Sequence, residues 1–349
     1  MFIHVVWNFK TMNNLYLMLS KRVGLPFLLL CQVLCFIAQA QTTKPLTVKE
    51  NLKFLSQELL KNGEKNYRKA LELSLLNQWP TEQKRSDGRI IVLQGIDAQG
   101  SPIYYSTNST QSVGVTTKTT AMYSGGSLGI NLNGGSASVA NKLGLWDSGR
   151  ALITHQELTP KVRTVEGANY ATDHATHLSG ILVGKGVNKI ARGMAWGASL
   201  KTWDFTNDVY EMTLAAPDLL ISNHSYGVLA GWVFNPDRPG TNDDLKWEWW
   251  GDENVSKTED YKFGFYDTKS RDIDRIATLA PYYLIVKSAD NKRSENGPPL
   301  GSRHFIRNTN TTSTTVRSSN NGFDTIPTDA NAKNILTVGA VNEVLKTSR

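Results

Sequence analysis

The sequence has very little cysteine, with only Cys31 and Cys35 among its 349 residues. Both lie in the first forty residues, so residues 41–349 contain none. A chain without cysteine has no disulfide bond, no thiolate ligand for a metal ion and no cysteine nucleophile. These absences exclude cysteine peptidases and cysteine-based metal sites from the main part of the chain.

The sequence also lacks a dense run of lysine and arginine with interleaved aromatic residues. Its formal net charge is +7, but Lys10, Lys21 and Arg22 lie in an N-terminal segment without acidic residues, which leaves +4 for residues 41–349. So mild an excess indicates a solvated basic surface, because nucleic-acid-binding domains concentrate positive charge on one face. We predict no nucleic-acid partner.

The first forty residues have the pattern of an export signal. Lys21 and Arg22 precede an apolar run, and Ala38 and Ala40 match the small-residue pattern that signal peptidase recognises. We predict a signal peptide over 1–40, cleaved after Ala40, and a secreted or cell-surface protein. A membrane anchor is the alternative, but the run is shorter and more polar than the ~20 residues of a spanning helix, so we expect no stable membrane insertion after cleavage. Three start codons would keep this signal: Met1, Met12 and Met18.

Residues 41–107 predict a small α+β unit. Leucines recur at helical spacing over 46–76, with an interruption near Asn62 and Gly63, so we expect two amphipathic helices. Two β-rich runs around a Gly/Asp/Pro turn then predict a hairpin. Residues 108–140 are rich in Ser, Thr and Gly, as expected for a linker and an extended lead-in.

From residue 141 onward, apolar strand-like runs alternate with helical patterns. This alternation predicts an α/β fold with a doubly wound parallel sheet. The strand candidates are KLGLWDSG, ASLKTWDF, DLLISNHSYG, PYYLIVKSADN and NILTVGAV. Several of these runs end in polar residues, and the carboxyl ends of parallel strands meet at the edge where ligands bind. We therefore expect one shared site at that edge.

An aromatic and polar insertion at about 229–275 separates two of these strands. We expect a surface excursion whose tryptophans pack on one another: Trp232, Trp247, Trp249 and Trp250. Four acidic residues of the insertion do not have the spacing of an EF-hand: Asp243, Asp244, Asp252 and Glu253. Whether they bind a structural calcium ion is left open by the sequence.

Two motifs carry a resemblance to a known family. LGLWDSGRALITHQEL followed by DHATHLSGILVG resembles the aspartate and histidine motifs of the subtilisin-like serine proteases, the subtilases. LLISNHSYG, YLIVKSADN and AKNILTVGAV are similar, in order, to the family's substrate-lining strand, its oxyanion strand and the strand before its catalytic serine. The resemblance runs from about Lys142 to Val341, and in this family the catalytic residues follow the order Asp, His, Ser.

The resemblance implies catalytic roles for three residues. His174 would be the general base, since an imidazole is the side chain that changes charge near neutral pH. Asp147 would hold the other ring nitrogen and stabilise the imidazolium, and Asn291 would donate its amide to the oxyanion. The chemistry would need no cofactor.

The resemblance also implies a peptide or protein substrate. Ser225, Tyr226 and Gly227 would offer backbone groups to an extended peptide, as an edge strand does. By position and size alone, the unit at 41–107 would be a propeptide that assists folding and blocks the site until removed; a substrate- or wall-binding module is the alternative.

The second histidine of the motif, His177, lies one helical turn from His174, and we predict that it is a buried structural residue. A zinc site on these two histidines is the rival interpretation. Their spacing differs from HExxH, and no obvious third ligand follows. We predict no metal at the catalytic site.

Two departures from the family's pattern bear on activity. Ala175 stands where the family usually has glycine, and its methyl group fits if φ is negative. The sequence has no Gly-Thr-Ser and no GxSxG motif before it stops at Arg349. We therefore expect 141–349 to be a partial peptidase domain, inactive as it stands and incomplete at the C-terminus. A non-catalytic peptide-binding homologue is the alternative.

Overall fold

A computed structural model describes residues 47–107, 119–167, 170–319 and 325–340. The predicted signal peptide and residues 108–118 of the predicted linker lie outside these residues. The helices are α1 (Lys49–Asn77), α2 (Asp173–Val183), α3 (Asp208–Ala215) and α4 (Thr268–Leu279). The strands are β1 (Glu82–Lys84), β2 (Ile90–Ile96), β3 (Pro102–Thr107), β4 (Leu143–Asp147), β5 (Val162–Thr164), β6 (Leu200–Asp204), β7 (Ile221–His224), β8 (Tyr226–Val228), β9 (Trp232–Phe234), β10 (Trp247–Trp249), β11 (Leu284–Ser288), β12 (His304–Ile306), β13 (Thr311–Ser313) and β14 (Leu336–Val338).

None of the helices in these ranges is both long and apolar enough to cross a membrane.

The centre of the fold is a six-stranded parallel sheet with the order β14-β11-β7-β4-β6-β5. All five predicted strands belong to it, which confirms the predicted α/β class and parallel sheet. The sixth strand, β5, escaped the sequence analysis because it has only three residues and carries no alternation that would distinguish it from a loop.

Helices pack on both faces of this sheet. On one face, α3 and α4 bury an apolar cluster with Trp146 and Trp203, whose rings stack 4.1 Å apart. On the other face, α2 packs Leu178 and Val183 against Leu145. Since α2 is a crossover between parallel strands, its first residues lie at the carboxyl edge of the sheet.

The predicted break near Asn62 and Gly63 is wrong, because α1 is continuous over 29 residues. Buried residues lie on both sides of the glycine, and α1 packs against both β2 and α3. This packing outweighs the ~1 kcal/mol that a glycine costs inside a helix. The predicted hairpin is confirmed, with β2 and β3 antiparallel, and β1 pairs with β2.

The insertion forms a second small sheet, β13-β12-β10-β9, which we call the insertion sheet. Trp232 and Trp249 pack edge to face at 5.1 Å, so part of the expected packing of the tryptophans on one another is confirmed. Trp250 differs, because it packs with residues of the α+β unit. The predicted insertion also ended too late, since α4 begins at Thr268, and it omitted β12 and β13, which follow α4 and β11.

Candidate active site

Asp147 is the last residue of β4 and lies fully buried at the carboxyl edge of the sheet. Its carboxylate accepts a hydrogen bond from the backbone N–H of Ser148 at 2.8 Å. Two residues later Gly149 has φ +69°, and a Cβ there would lie 2.9 Å from both Thr172 Cγ2 and the Tyr170 carbonyl oxygen. Glycine therefore lets the loop after β4 approach the segment that leads into α2.

His174 is the second residue of α2. Thr172 caps this helix: its Oγ1 accepts a hydrogen bond from Ala175 N and donates one to the Ser148 carbonyl at 2.6 Å. One hydroxyl thus joins the start of α2 to the loop after Asp147. The result is a contact between His174 Nδ1 and both carboxylate oxygens of Asp147, at 2.8 and 2.9 Å.

This contact fixes the chemistry that the imidazole can perform. A carboxylate at Nδ1 favours the tautomer with the proton on that nitrogen, which leaves Nε2 as the basic one. Burial raises the pKa of Asp147, while hydrogen bonds from His174 and Ser148 oppose the rise. The imidazolium that forms when Nε2 takes a proton would lie beside a buried carboxylate, where water screens its charge little.

The methyl group of Ala175 fits without strain. The residue lies inside α2, it is absent from the described positions with positive φ, and its side chain is buried. The backbone at Ala175 thus has the negative φ that a residue with a Cβ requires, and alanine in place of glycine does not disturb the start of the helix.

His177 does not have the predicted environment. It is exposed on α2, whereas Leu178 beside it is buried against the sheet. The prediction was wrong because residues i and i+3 share a face only approximately, and α2 turns His177 away from Leu145. Among the described residues, no group of three or more His, Cys, Asp or Glu side chains could hold a metal ion.

Asn291 follows β11, two strands from β4 at the same carboxyl edge, and is exposed. The preceding residue, Asp290, has φ +68°, and its Oδ2 would lie 2.9 Å from a Cβ built on Gly227. The loop that carries Asn291 therefore lies against β8. Asn291 and His174 therefore lie at the same edge of the parallel sheet.

The predicted substrate strand already pairs with another strand. Tyr226, Gly227 and Val228 form β8, which pairs antiparallel with β3 of the α+β unit: Thr107 lies opposite Tyr226 and Ser106 opposite Gly227. Ser225 precedes β8 and accepts a hydrogen bond from Asn223 Nδ2 at 2.9 Å. Backbone groups of this strand therefore bind an extended peptide, and that peptide is part of the same chain.

A buried polar network beneath Tyr226 was missed by the sequence analysis. The Tyr226 hydroxyl donates to Asp208 Oδ2 at 2.6 Å, and the same oxygen accepts from Lys269 Nζ at 2.7 Å. Burial raises the pKa of Asp208 to about 7 and lowers that of Lys269 to about 7. These residues come from three separate elements, so no local motif could reveal their meeting.

Next to Asp147 lies an open cavity of about 310 Å³ whose lining includes three carboxylates: Glu82, Glu166 and Asp204. Glu166 also shares a hydrogen bond with Glu211, and burial together with this neighbour raises the pKa of Glu211 to about 10. Burial and this neighbour therefore favour the protonated form of Glu211. The remaining carboxylates make the cavity more favourable for a cation than for an anion.

Comparison with known families agrees with this geometry. The sequence model of the subtilase family matches residues 147–349, which begins at the buried aspartate and includes His174, β8 and Asn291. The match covers more than half of the chain. No curated protein matches the sequence significantly.

Proposed function

The chain belongs to the subtilase family, and from that premise we propose that it is an exported serine endopeptidase. The contact between His174 Nδ1 and the buried Asp147 carboxylate at 2.8 Å carries the proposal. This contact supports the proposal, because nucleophilic catalysis by a serine requires a general base whose second ring nitrogen is held by a carboxylate. The signal-like pattern of residues 1–40 supports export to the cell surface or medium.

In the proposed reaction, a serine Oγ attacks the carbonyl carbon of the scissile peptide while its proton passes to His174 Nε2. Asn291 donates a hydrogen bond to the oxyanion of the tetrahedral intermediate. The C–N bond then breaks, and the proton moves from His174 to the leaving amine. Water, deprotonated by the same imidazole, hydrolyses the acyl-enzyme and returns the serine hydroxyl.

Residues 1–349 contain no Gly-Thr-Ser motif, and in the proposed reaction the nucleophile comes from a further segment of the protein. The sheet offers a place for it beside α2. Four apolar residues on the α2 face remain 39–50% exposed: Ile221, Leu284, Leu336 and Val338. A crossover helix on this surface would begin at the carboxyl edge, where its first turn would lie next to His174.

We also propose that the α+β unit is an inhibitory propeptide. Its last strand, β3, pairs with β8, so it takes up the backbone groups that a substrate would use. Cleavage within residues 108–118 would free the site only after β3 leaves β8.

The test begins with the coding sequence downstream of the Arg349 codon. If the frame continues into a Gly-Thr-Ser motif, the complete protein is expressed and treated with a serine-directed fluorophosphonate. We expect covalent labelling, and we expect His174→Ala to abolish labelling and peptide hydrolysis. Hydrolysis near the parent rate in His174→Ala, or loss of activity only with a chelator, would overturn the assignment in favour of another mechanism.

The second candidate is a non-catalytic homologue that holds peptides at β8. The pairing of β8 with β3 favours it, because the strand binds an extended segment without any nucleophile. A stop codon directly after Arg349, or a residue without a nucleophilic oxygen in the serine motif, would support this candidate. Binding of peptides without turnover would then be the activity to measure.

A further inference from the structure

The α+β unit contacts the rest of the chain through a second surface, separate from β8. Arg85, in the turn after β1, forms an ion pair with Glu248 on β10 of the insertion sheet, with 2.6 Å between Nη2 and Oε2. The two side chains are only 2% and 1% exposed. The pair therefore lies inside the contact between the unit and the insertion sheet, not at its rim.

Glu248 is the centre of a hydrogen-bonded group. Its carboxylate also accepts from Asn235 Nδ2 at 2.8 Å, from Arg238 Nη2 at 2.6 Å and from Trp250 Nε1 at 3.1 Å. Burial raises the pKa of Glu248, but the two arginines and Asn235 outweigh this and keep the pKa below its ordinary value. The carboxylate is thus charged, and Arg85 is the member of this group that the α+β unit supplies.

An apolar cluster surrounds the ion pair. Trp250 is buried among residues of the α+β unit, and its ring meets Tyr104 of β3 edge to face at 5.2 Å. The unit contributes further buried residues to this cluster: Ala70, Trp79, Ile91, Leu93 and Ile96. Without the unit, Trp250 would be left on the surface of the insertion sheet.

Further hydrogen bonds join the α+β unit to the rest of the protein around this buried cluster. Arg89 donates to the Phe234 carbonyl at 2.9 Å and pairs with Glu295 at 2.7 Å, while Ser86 N donates to Asp237 at 2.8 Å. Trp79 Nε1 donates to the Asn308 carbonyl at 3.0 Å. The acceptors on the insertion side therefore come from segments on both sides of α4 in the sequence.

We propose that the insertion sheet is a dedicated docking surface for the α+β unit, with Arg85 and Glu248 as its recognition pair. This surface holds the unit on the rest of the protein after residues 108–118 are cut. This buried ion pair selects one partner, because a partner without a matching arginine leaves Glu248 Oε2 without its charged donor inside the contact. The inference rests on the proposed function only in taking that cut as the maturation step.

The test uses the full chain with a recognition site for a sequence-specific protease placed within residues 108–118. After cleavage, the two fragments are diluted and their dissociation is followed through a tag on the α+β unit. We expect the parent fragments to co-elute, and we expect Arg85→Gln to accelerate dissociation by roughly 10²-fold, since the buried Glu248 carboxylate loses one of its two arginine partners.

The matched control is an exposed ion pair between the same two parts of the protein. Arg275 of α4 pairs with Glu58 of α1 at 2.7 Å, with side chains 37% and 47% exposed, so Arg275→Gln should change dissociation less than threefold. The double variant Arg85→Gln with Glu248→Gln should recover part of the lost affinity, because two amides can hydrogen-bond.

Equal effects of Arg85→Gln and Arg275→Gln would overturn the proposal, and so would immediate separation of the parent fragments. If Arg85→Gln does not fold, the double variant provides the same comparison with the parent. The readout is association, not peptide hydrolysis. A protein that docks its unit but cleaves no peptide would retain this inference while losing the proposed function.

Discussion

At the scale of single residues, the contact between Asp147 and His174 is the part of the site on which activity depends most directly. We expect Asp147→Asn in the complete protein to lower kcat by roughly 10⁴-fold, as in serine proteases with the same triad, because the amide favours the wrong imidazole tautomer. The fold should persist, since asparagine has nearly the same shape. Steady-state kinetics measure kcat, and a thermal melt measures the stability of the fold. A decrease in kcat of less than tenfold would contradict the role of Asp147.

A second residue-scale prediction concerns Glu211, whose pKa lies above its ordinary value through burial and the neighbouring Glu166. The folded state holds this proton more tightly than the unfolded chain does. Its stabilising effect is therefore complete below the unfolded pKa of 4.5 and declines as the pH rises toward the folded pKa. Glu211→Gln removes this decline, while Trp146 Nε1 can still donate to the new amide oxygen.

Urea unfolding at pH 5 and pH 8 tests this difference. We expect the stability of Glu211→Gln relative to the parent to increase from pH 5 to pH 8. The control is Glu72→Gln, because Glu72 is exposed on α1. A difference between parent and Glu211→Gln that does not change with pH would show that Glu211 is ionised in the folded protein.

Site residues could be predicted from the sequence where they lie at the end of a strand or the start of a helix. Asp147 ends a strand and His174 starts a helix, so the apolar runs before and after them reveal both positions. His177 was predicted wrongly, because its exposure depends on how α2 rotates against the sheet. The network of Tyr226, Asp208 and Lys269 could not be predicted, because three separate elements must fold before its members meet.

At the scale of elements, Thr172 connects α2 to the loop after β4. Thr172→Val removes both the cap on Ala175 N and the bond to the Ser148 carbonyl, with little change in shape. We expect a loss of about 1–2 kcal/mol in the free energy of unfolding. We also expect a lower kcat, since the cap sets the position of His174 relative to Asp147.

The control for this change is Thr278→Val on α4. Thr278 is exposed and bonds only to the carbonyl of Asp274 within its own helix, so its replacement should stay within ~0.5 kcal/mol of the parent. Urea denaturation gives the stabilities, and peptide hydrolysis by the complete protein gives kcat. Equal stabilities of the two variants would show that the cap contributes nothing.

Elements were predicted well where their apolar pattern is long. The five predicted strands of the parallel sheet each lie in a stretch where large apolar residues recur. By contrast, α1 was divided at Gly63 because propensity alone favours a break there, while packing against β2 and α3 favours continuity. The insertion sheet was beyond prediction, since its three-residue strands pair across α4 and β11, which lie between β10 and β12 in the sequence.

At the scale of the whole molecule, the two faces of the parallel sheet differ in solvent exposure at β7, β11 and β14. Ile285 faces α4 and is fully buried, whereas Leu284, one residue earlier, points to the α2 face and is 40% exposed. Leu336 on β14 is 50% exposed on that same face. Adjacent apolar side chains of this kind form a patch that tends to associate with other apolar surfaces.

We therefore expect the 349-residue protein to bind a hydrophobic dye and to self-associate at micromolar concentration. The variant Leu284→Gln with Leu336→Gln should reduce both while changing the free energy of unfolding by less than ~1 kcal/mol, because neither side chain is fully buried. Ile285→Gln is the control. It should lower the free energy of unfolding several-fold more than the double variant does, since it buries an amide beneath α4. Sedimentation velocity and urea unfolding measure these effects. If the double variant unfolds as readily as Ile285→Gln, the α2 face of these strands is packed, and a nucleophile-bearing helix could not lie where the proposed mechanism needs it.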